Sequence, residues 1–197
     1  PWFAGGPPSP YMTLYLMGGL ARAAEFAVPV PRDMVQRGWQ YLAREAKEQW
    51  LPKAIADDCC WELLTYLNYV ASSYPDSSWT GDFLSAADRR TILDFSFKHW
   101  RDLQPLLKLQ LASTLERMNR HKDAVLVLAA VMDSAQTTRD EGTFWQPEDR
   151  AWLWYNDRIE SHAWALRTLM DVTPADPRRD GLVQWLFLNK KLNHWKS

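Results

Sequence analysis

Val35, Trp39 and Leu42 recur at the spacing of one helix face in RDMVQRGWQYLAREAKEQW (residues 32–50), while Arg44, Lys47 and Glu48 mark the opposite, polar face. Helical periodicity of this kind runs through most of the chain, and no segment shows the apolar–polar alternation of a half-buried strand. Local punctuation agrees. Ser9 and Pro10 are start signals for a helix over YMTLYLMGGLARAAEFA (11–27), and the Val28-Pro29-Val30-Pro31 run stops it. Further helices are expected over DDCCWELLTYLNYVASSY (57–74), SAADRRTILDFSFKHW (85–100), QPLLKLQLASTLERMNR (104–120), KDAVLVLAAVMDSA (122–135), RIESHAWALRTLMDV (158–172) and DGLVQWLFLNK (180–190). PDSSWTGDF (75–83) and the aromatic stretch 135–157 read as loops. The fold class expected is all-α, as a single helical domain over residues 1–197. Helix 32–50 should lie on the outside. The helix after Lys122, apolar nearly all round from Ala124 to Met132, should be a buried inner helix.

An internal repeat sharpens this. A shift of 146 positions, without gaps, superposes Leu20 on Leu166, Pro31 on Pro177, Trp39 on Trp185, Tyr41 on Phe187 and Leu42 on Leu188. In each copy an apolar helix runs into a Pro-containing turn and then into a helix with Trp near its middle. Two copies of one helical hairpin, with others between them, imply a solenoid or a closed ring of helix pairs.

Composition bounds the partners. Lys and Arg number 23 against 24 Asp and Glu, a net charge of -1, which gives no electrostatic reason for a nucleic-acid or anionic-membrane partner. No apolar run reaches the ~18 residues of a membrane span. The 12 Trp residues suit thick helix–helix seams. Cys59 and Cys60 are adjacent, so they imply no disulfide framework.

Asp57-Asp58-Cys59-Cys60 carries three readings. Clustered aspartates bind magnesium in the aromatic-rich helical rings of terpenoid cyclases, and the related prenyltransferases hold zinc with Asp, Cys and His, for which His162 would be the distant third ligand. The structural reading is a helix start with Asp at the positive end of the dipole and two buried thiols, and it is preferred because an adjacent acidic pair cannot share one helix face. An internal thioester would need Gln three residues after Cys60, where Leu63 stands. His99, His121, His162 and His194 are scattered without metal-ligand spacing, and no GxSxG, P-loop or GxGxxG string occurs. Gly5-Gly6 suits a turn, Gly18-Gly19 the close approach of a neighbouring helix, and Lys190-Lys191 a solvated helix end. The sequence thus assigns no catalytic, cofactor-binding or metal-ligating residue, and no cofactor.

Three segments carry a resemblance. WFAGGPPSPYMTLYLMGGLARAAEF (2–26) contains Trp-Phe-x-Gly-Gly followed by Ser-Pro-Tyr-x-Thr, WLWYNDRIESHAWALRTLMD (152–171) contains Ile-Glu-x-x-Ala-x-Ala-Leu, and NHWKS (193–197) closes the chain. In that order they resemble the thioester-type helical domain of bacterial alpha-2-macroglobulin-like proteins. Residues 43–120 match it only as helices. The resemblance implies an α/α toroid of helix hairpins like that of terpenoid cyclases and prenyltransferases, incomplete here, with more helices after Ser197 and before Pro1. It implies protease trapping by a larger parent chain, with proteases and the parent's other domains as partners. Neither nucleic acid nor membrane contacts this piece, which would not be an enzyme, and the setting would be the periplasm or cell surface. In the family the thioester Cys precedes the Trp-Phe-x-Gly-Gly segment, so Cys60 does not inherit its role. Trp145, Trp152, Trp154 and Tyr155 are the candidates for a packed aromatic surface that shields such a bond. The alternatives are an α/α-toroid enzyme of cyclase or lyase type and a helical-repeat interaction scaffold, the latter read from LLKLQLASTLERMNRHKDAVLVLAAVM (106–132).

Overall fold

The computed structural model describes residue 6 and residues 8–81, 84–145, 158–191 and 194–195, with 191, 194 and 195 described by backbone alone. These residues are mostly helical, and they fall into two compact units, Pro1–His99 and Trp100–Ser197.

In the first unit, α1 (Pro10–Glu25) begins where the sequence places it. The Ser9 hydroxyl accepts the Met12 N–H at 3.3 Å, Thr13 Oγ1 donates to the Ser9 carbonyl at 2.9 Å, and Pro10 occupies the first turn. The helix ends on Ala27, at φ 57°, with Val28 N–H donating to Ala23 O and Ala27 N–H to Ala24 O. This is a Schellman closure made without glycine. Helix α2 (Arg32–Glu45) follows Pro31 and buries Val35, Trp39 and Leu42, as its periodicity requires. It does not stop at Trp50. A π turn (Ala46–Trp50) leads into α3 (Leu51–Asp57), which carries Pro52 in its first turn. Pro52 offers no N–H and its ring crowds the preceding turn, so the wider ring, closed by Leu51 N–H on Ala46 O, lets the helix continue through it.

Helix α4 (Trp61–Ser72) packs on α1 and on α6 (Ala86–Lys98). Ser85 and Asp88 form a capping box at the start of α6. The expected loop 75–83 contains a single helical turn, α5 (Ser77–Thr80), started by the Asp76 carboxylate accepting Ser78 N–H at 2.8 Å. Small residues set the helix spacing: a Cβ on Gly38 would press into Met17, and one on Gly18 would lie 3.0 Å from Tyr66 Oη. Gly19, its neighbour, faces open space. Tyr74 locks the seam, donating its hydroxyl to Met17 O at 2.7 Å and standing edge-on to Trp39. Burial raises the Tyr74 pKa further above the ordinary phenol value, so this donor stays protonated.

The second unit departs from expectation in three places. Its central helix is α7 (Pro105–Arg117), which buries Leu109, Leu111, Ala112 and Leu115 together with Gln110, Ser113 and Thr114. Helix α8 (His121–Met132), expected to be the buried one, packs on α7 and α9 (Arg158–Val172) with Ala124, Val127, Leu128 and Met132 but leaves Leu126 exposed. Small side chains decide the exchange, because Ala112, Ser113 and Ala165 admit close packing of α7 and α9. Thr168 then reaches Ser113 and the Leu109 carbonyl, both at 3.4 Å. The α7–α8 turn falls where Asn119 stands, at φ 62°.

The second departure is strand. Gln136–Thr138 (β1) and Gly142–Phe144 (β2) form an antiparallel hairpin inside the expected loop, with Thr137 opposite Thr143. Strands of three residues are too short to show alternation, and Gly142 supplies the φ of +80° needed to leave the turn. The hairpin lies against α10 (Arg178–Leu188), where Gly142 and Gly181 approach so closely that a Cβ on Gly142 would run into the Gly181 carbonyl oxygen. Gln184 Nε2 donates to the Arg139 and Asp140 carbonyls of the turn. Third, Lys190–Lys191 (β3) pairs with His194–Trp195 (β4) instead of ending a helix. The α1–α2 and α9–α10 pairs do share the repeated hairpin: Pro31 and Pro177 stand at the helix starts, and Trp39 and Trp185 are buried. The likeness ends at the last two positions, where Tyr41 is half-buried and Leu42 buried but Phe187 and Leu188 are exposed.

Two glycines predict opposite outcomes in a urea titration. Gly142→Ala combines a left-handed backbone with a backbone collision, and should destabilise the chain by roughly 2–5 kcal/mol. Gly19→Ala, in open space within a helix, should stabilise it by about 0.5–1 kcal/mol.

Candidate functional site

The acidic and cysteine cluster of the sequence is a corner between two helices: a helix does start at its end, with Cys60 as N-cap of α4, but the aspartates belong to the end of α3. Asp57 ends α3, Asp58 turns the chain at φ 48°, and Cys60 precedes α4 at φ 61°. The Asp58 and Cys59 N–H groups both donate to Ala54 O, and the Cys60 carbonyl accepts Leu64 N–H. Asp58 therefore sits at the negative end of α3, where its charge is held by partners from α6 and not by a helix dipole. Its Oδ1 accepts Lys98 Nζ at 2.9 Å and meets His99 Nε2 at 3.0 Å. The lysine first, and the imidazole after it, hold the Asp58 pKa below the ordinary carboxylate value. Asp57 pairs with Lys53 at 2.6 Å. With each carboxylate tied to its own cation, the two do not form the shared acidic face that a diphosphate–magnesium site needs.

His99 is buried, with its ring stacked on Trp61 at 4.6 Å and tilted against Phe95. Trp61 Nε1 and Thr65 Oγ1 of α4 and Ser96 Oγ of α6 are buried without a hydrogen-bond partner among the described residues. The thiols are half-exposed, with Cys59 Sγ 2.8 Å from Cys60 Sγ. This contact, followed by burial, raises the Cys59 pKa above the usual thiol value. The expectation of two buried thiols is corrected: two left-handed residues turn the corner outward, which keeps both side chains at the surface.

The distant ligand of the zinc reading has another task. His162 lies flat between Trp145 (4.4 Å, 15°) and Trp185 (3.6 Å, 14°) and is fully buried. Its Nδ1 donates to Arg158 O at 2.6 Å, and its Nε2 accepts Trp145 N–H at 3.4 Å. Both ring nitrogens are thus used, and the neutral Nδ1–H tautomer satisfies both contacts. Among the described residues no group of three or more His, Cys, Asp or Glu is arranged to hold a metal ion. His121 pairs with Glu116 at 2.8 Å. Trp145 packs inward on His162; Trp152, Trp154 and Tyr155 lie outside the described residues. The Asp58–His99 pair and the Trp145–His162–Trp185 stack were not foreseen, since their members are 41 residues apart in one case and 17 and 23 in the other. Trp185 alone carried a signal, through the repeat.

No known protein family, characterised protein or solved structure matches the chain. No helix among the described residues is long and apolar enough to cross a membrane.

His162 makes the second unit acid-sensitive. Burial lowers its pKa from the ordinary 6.5 to about 4. Between those values the unfolded chain binds a proton that the folded chain refuses, so stability rises with pH across the window and is lost as pH falls through it. The full loss is on the order of 3 kcal/mol. Urea titrations at pH 7.5 and 4.5 should show this fall in the native chain, and His162→Gln should be less stable at pH 7.5 with a flatter dependence on pH. An unchanged slope would mean that His162 takes up a proton while folded.

Proposed function

We propose that the chain is the helical ring-type domain, or part of it, of a bacterial alpha-2-macroglobulin-like protease trap, and that it acts as a packing and recognition surface with no chemistry of its own. Under this reading the hairpins belong to an α/α toroid that further segments of the parent complete. The parent works at the periplasm or cell surface, and a protease that cuts the parent becomes enclosed.

The observation that carries the reading is the repeated hairpin joined to the motifs of the resemblance. Ser9-Pro10-Tyr11-x-Thr13 is a helix-start device in this chain, with Ser9 capping and Thr13 closing back on it. Ile159-Glu160-x-x-Ala163-x-Ala165-Leu166 lies on α9, where Ala165 is fully buried and His162 joins the aromatic stack. Both motifs open the first helix of a hairpin whose second helix buries a Trp. A ring of helix pairs needs such units, each with one face for its neighbours. His162 supports the non-catalytic reading as well, because a histidine with both nitrogens bonded and two indoles over its faces serves packing.

A shielding assay on the full-length parent tests this. After incubation with a serine protease and the parent, cleavage of a small chromogenic peptide should persist while digestion of casein falls steeply, because an enclosed protease still admits small substrates. Equal loss of both activities would point to an active-site inhibitor, and loss of neither would remove the protease-trap reading.

A further inference from the structure

We propose that Cys59 and Cys60 form a chelating dithiol site for a trivalent metalloid, an arsenical or antimonial centre that takes two sulfur ligands from adjacent residues. The proposal does not rest on the protease-trap reading. It stands on the convergence of two half-exposed thiols, 2.8 Å apart, at a corner whose backbone is specified on both sides. Asp58 and Cys60 hold left-handed conformations, and the end of α3 and the start of α4 fix the chain before and after them. The bonds from Asp58 to Lys98 and His99 anchor that corner to α6.

The bite of the pair selects the ligand class. A linear two-coordinate soft cation, with metal–sulfur bonds near the ~2.3 Å of zinc thiolates, would need its sulfurs about 4.6 Å apart. Tetrahedral zinc would need two further ligands, and the described residues bring no third His, Cys, Asp or Glu to the pair. A pyramidal trivalent centre accepts two sulfurs near a right angle and carries its third substituent itself, so two thiols held in contact suit it after parting only slightly. With phenylarsine oxide the balance is simple. Two As–S bonds form, both S–H protons pass to the arsenic-bound oxygen, and that oxygen leaves as water. Arsenic stays trivalent and no oxidant is required.

The chain holds only these two cysteines, which makes the test direct. Phenylarsine oxide is added in stoichiometric amount to the native chain, and intact mass and melting temperature are recorded. The expected result is one adduct per chain that survives excess glutathione, a monothiol, and is removed by 2,3-dimercaptopropanol. Cys59→Ser and Cys60→Ser, each checked for unchanged helical circular dichroism, should each lose the glutathione-resistant adduct. The melting temperature should rise by a few degrees, because a ligand that prefers the folded chain stabilises it. An adduct stripped by glutathione, or retained by either single variant, overturns the chelate. A fall in melting temperature shows that the arsenical prefers the unfolded chain, and it overturns the preformed site.

Discussion

The reversals from α1 to α2, from α3 to α4 and from α7 to α8 are each made on residues in the left-handed conformation, and helix pairing in both units depends on them. Among the described residues, Ala27, Asp58, Cys60 and Asn119 are the non-glycine positions with positive φ, and every one lies at a helix boundary. For an L-residue other than Gly this conformation costs about 1 kcal/mol or more. Local hydrogen bonds offset part of it, as in the paired closures onto Ala23 and Ala24 or onto Leu115 and Glu116. The remainder is offset by what the reversal makes possible: α1 packs on α2 with Leu14, Met17, Val35 and Trp39 buried, and α7 packs on α8 with Leu111, Leu115, Ala124 and Leu128 buried. Burying such a side chain contributes about 1.5–3 kcal/mol, so one well-packed pair outweighs the strained turn.

Histidine is used in two ways inside this frame. His162 is sealed: two carbonyl and amide partners, two indole faces and no exposed surface. Its value is connective, since it joins the strand exit at Trp145, the body of α9 and Trp185 of α10. His99 stands at the end of α6 with one face on Trp61 and one nitrogen on an exposed carboxylate. It fastens the α3–α4 corner to α6, while the thiols of that corner stay half-exposed. The same residue type therefore closes one unit and anchors the accessible corner of the other.

Much of the helical framework was legible in the residues. The cap at Ser9, the stop before Pro29 and the buried stripe of Val35, Trp39 and Leu42 follow from local chemistry and a period of 3.6. The offset repeat marked Trp185 and Pro177 before any contact was known. Three features were not legible. The helix expected to end at Trp50 runs on through Pro52 by way of a π turn. The hairpin at 136–144 has strands of three residues, and its place is set by the fit of Gly142 against Gly181 on another element. The corner at Asp57–Cys60 reads as a helix start because Asp favours such positions, whereas here salt links to α6 hold Asp58 at the opposite end of a helix.

The sequence by itself determined the helical class, most helix limits and which face of each helix is apolar, because these depend on residues within a turn or two of one another. Tertiary structure decided which helix became central, where the thiols point and what each histidine does. The physical reason is distance along the chain. α7 is central because it packs on α9 with Ala112 and Ala165 buried and Ser113 against Thr168, 55 residues away, and Asp58 finds His99 only once α4 has packed on α6. Partners of that kind leave no periodic trace, since each residue is compatible with many neighbours and the fold selects one.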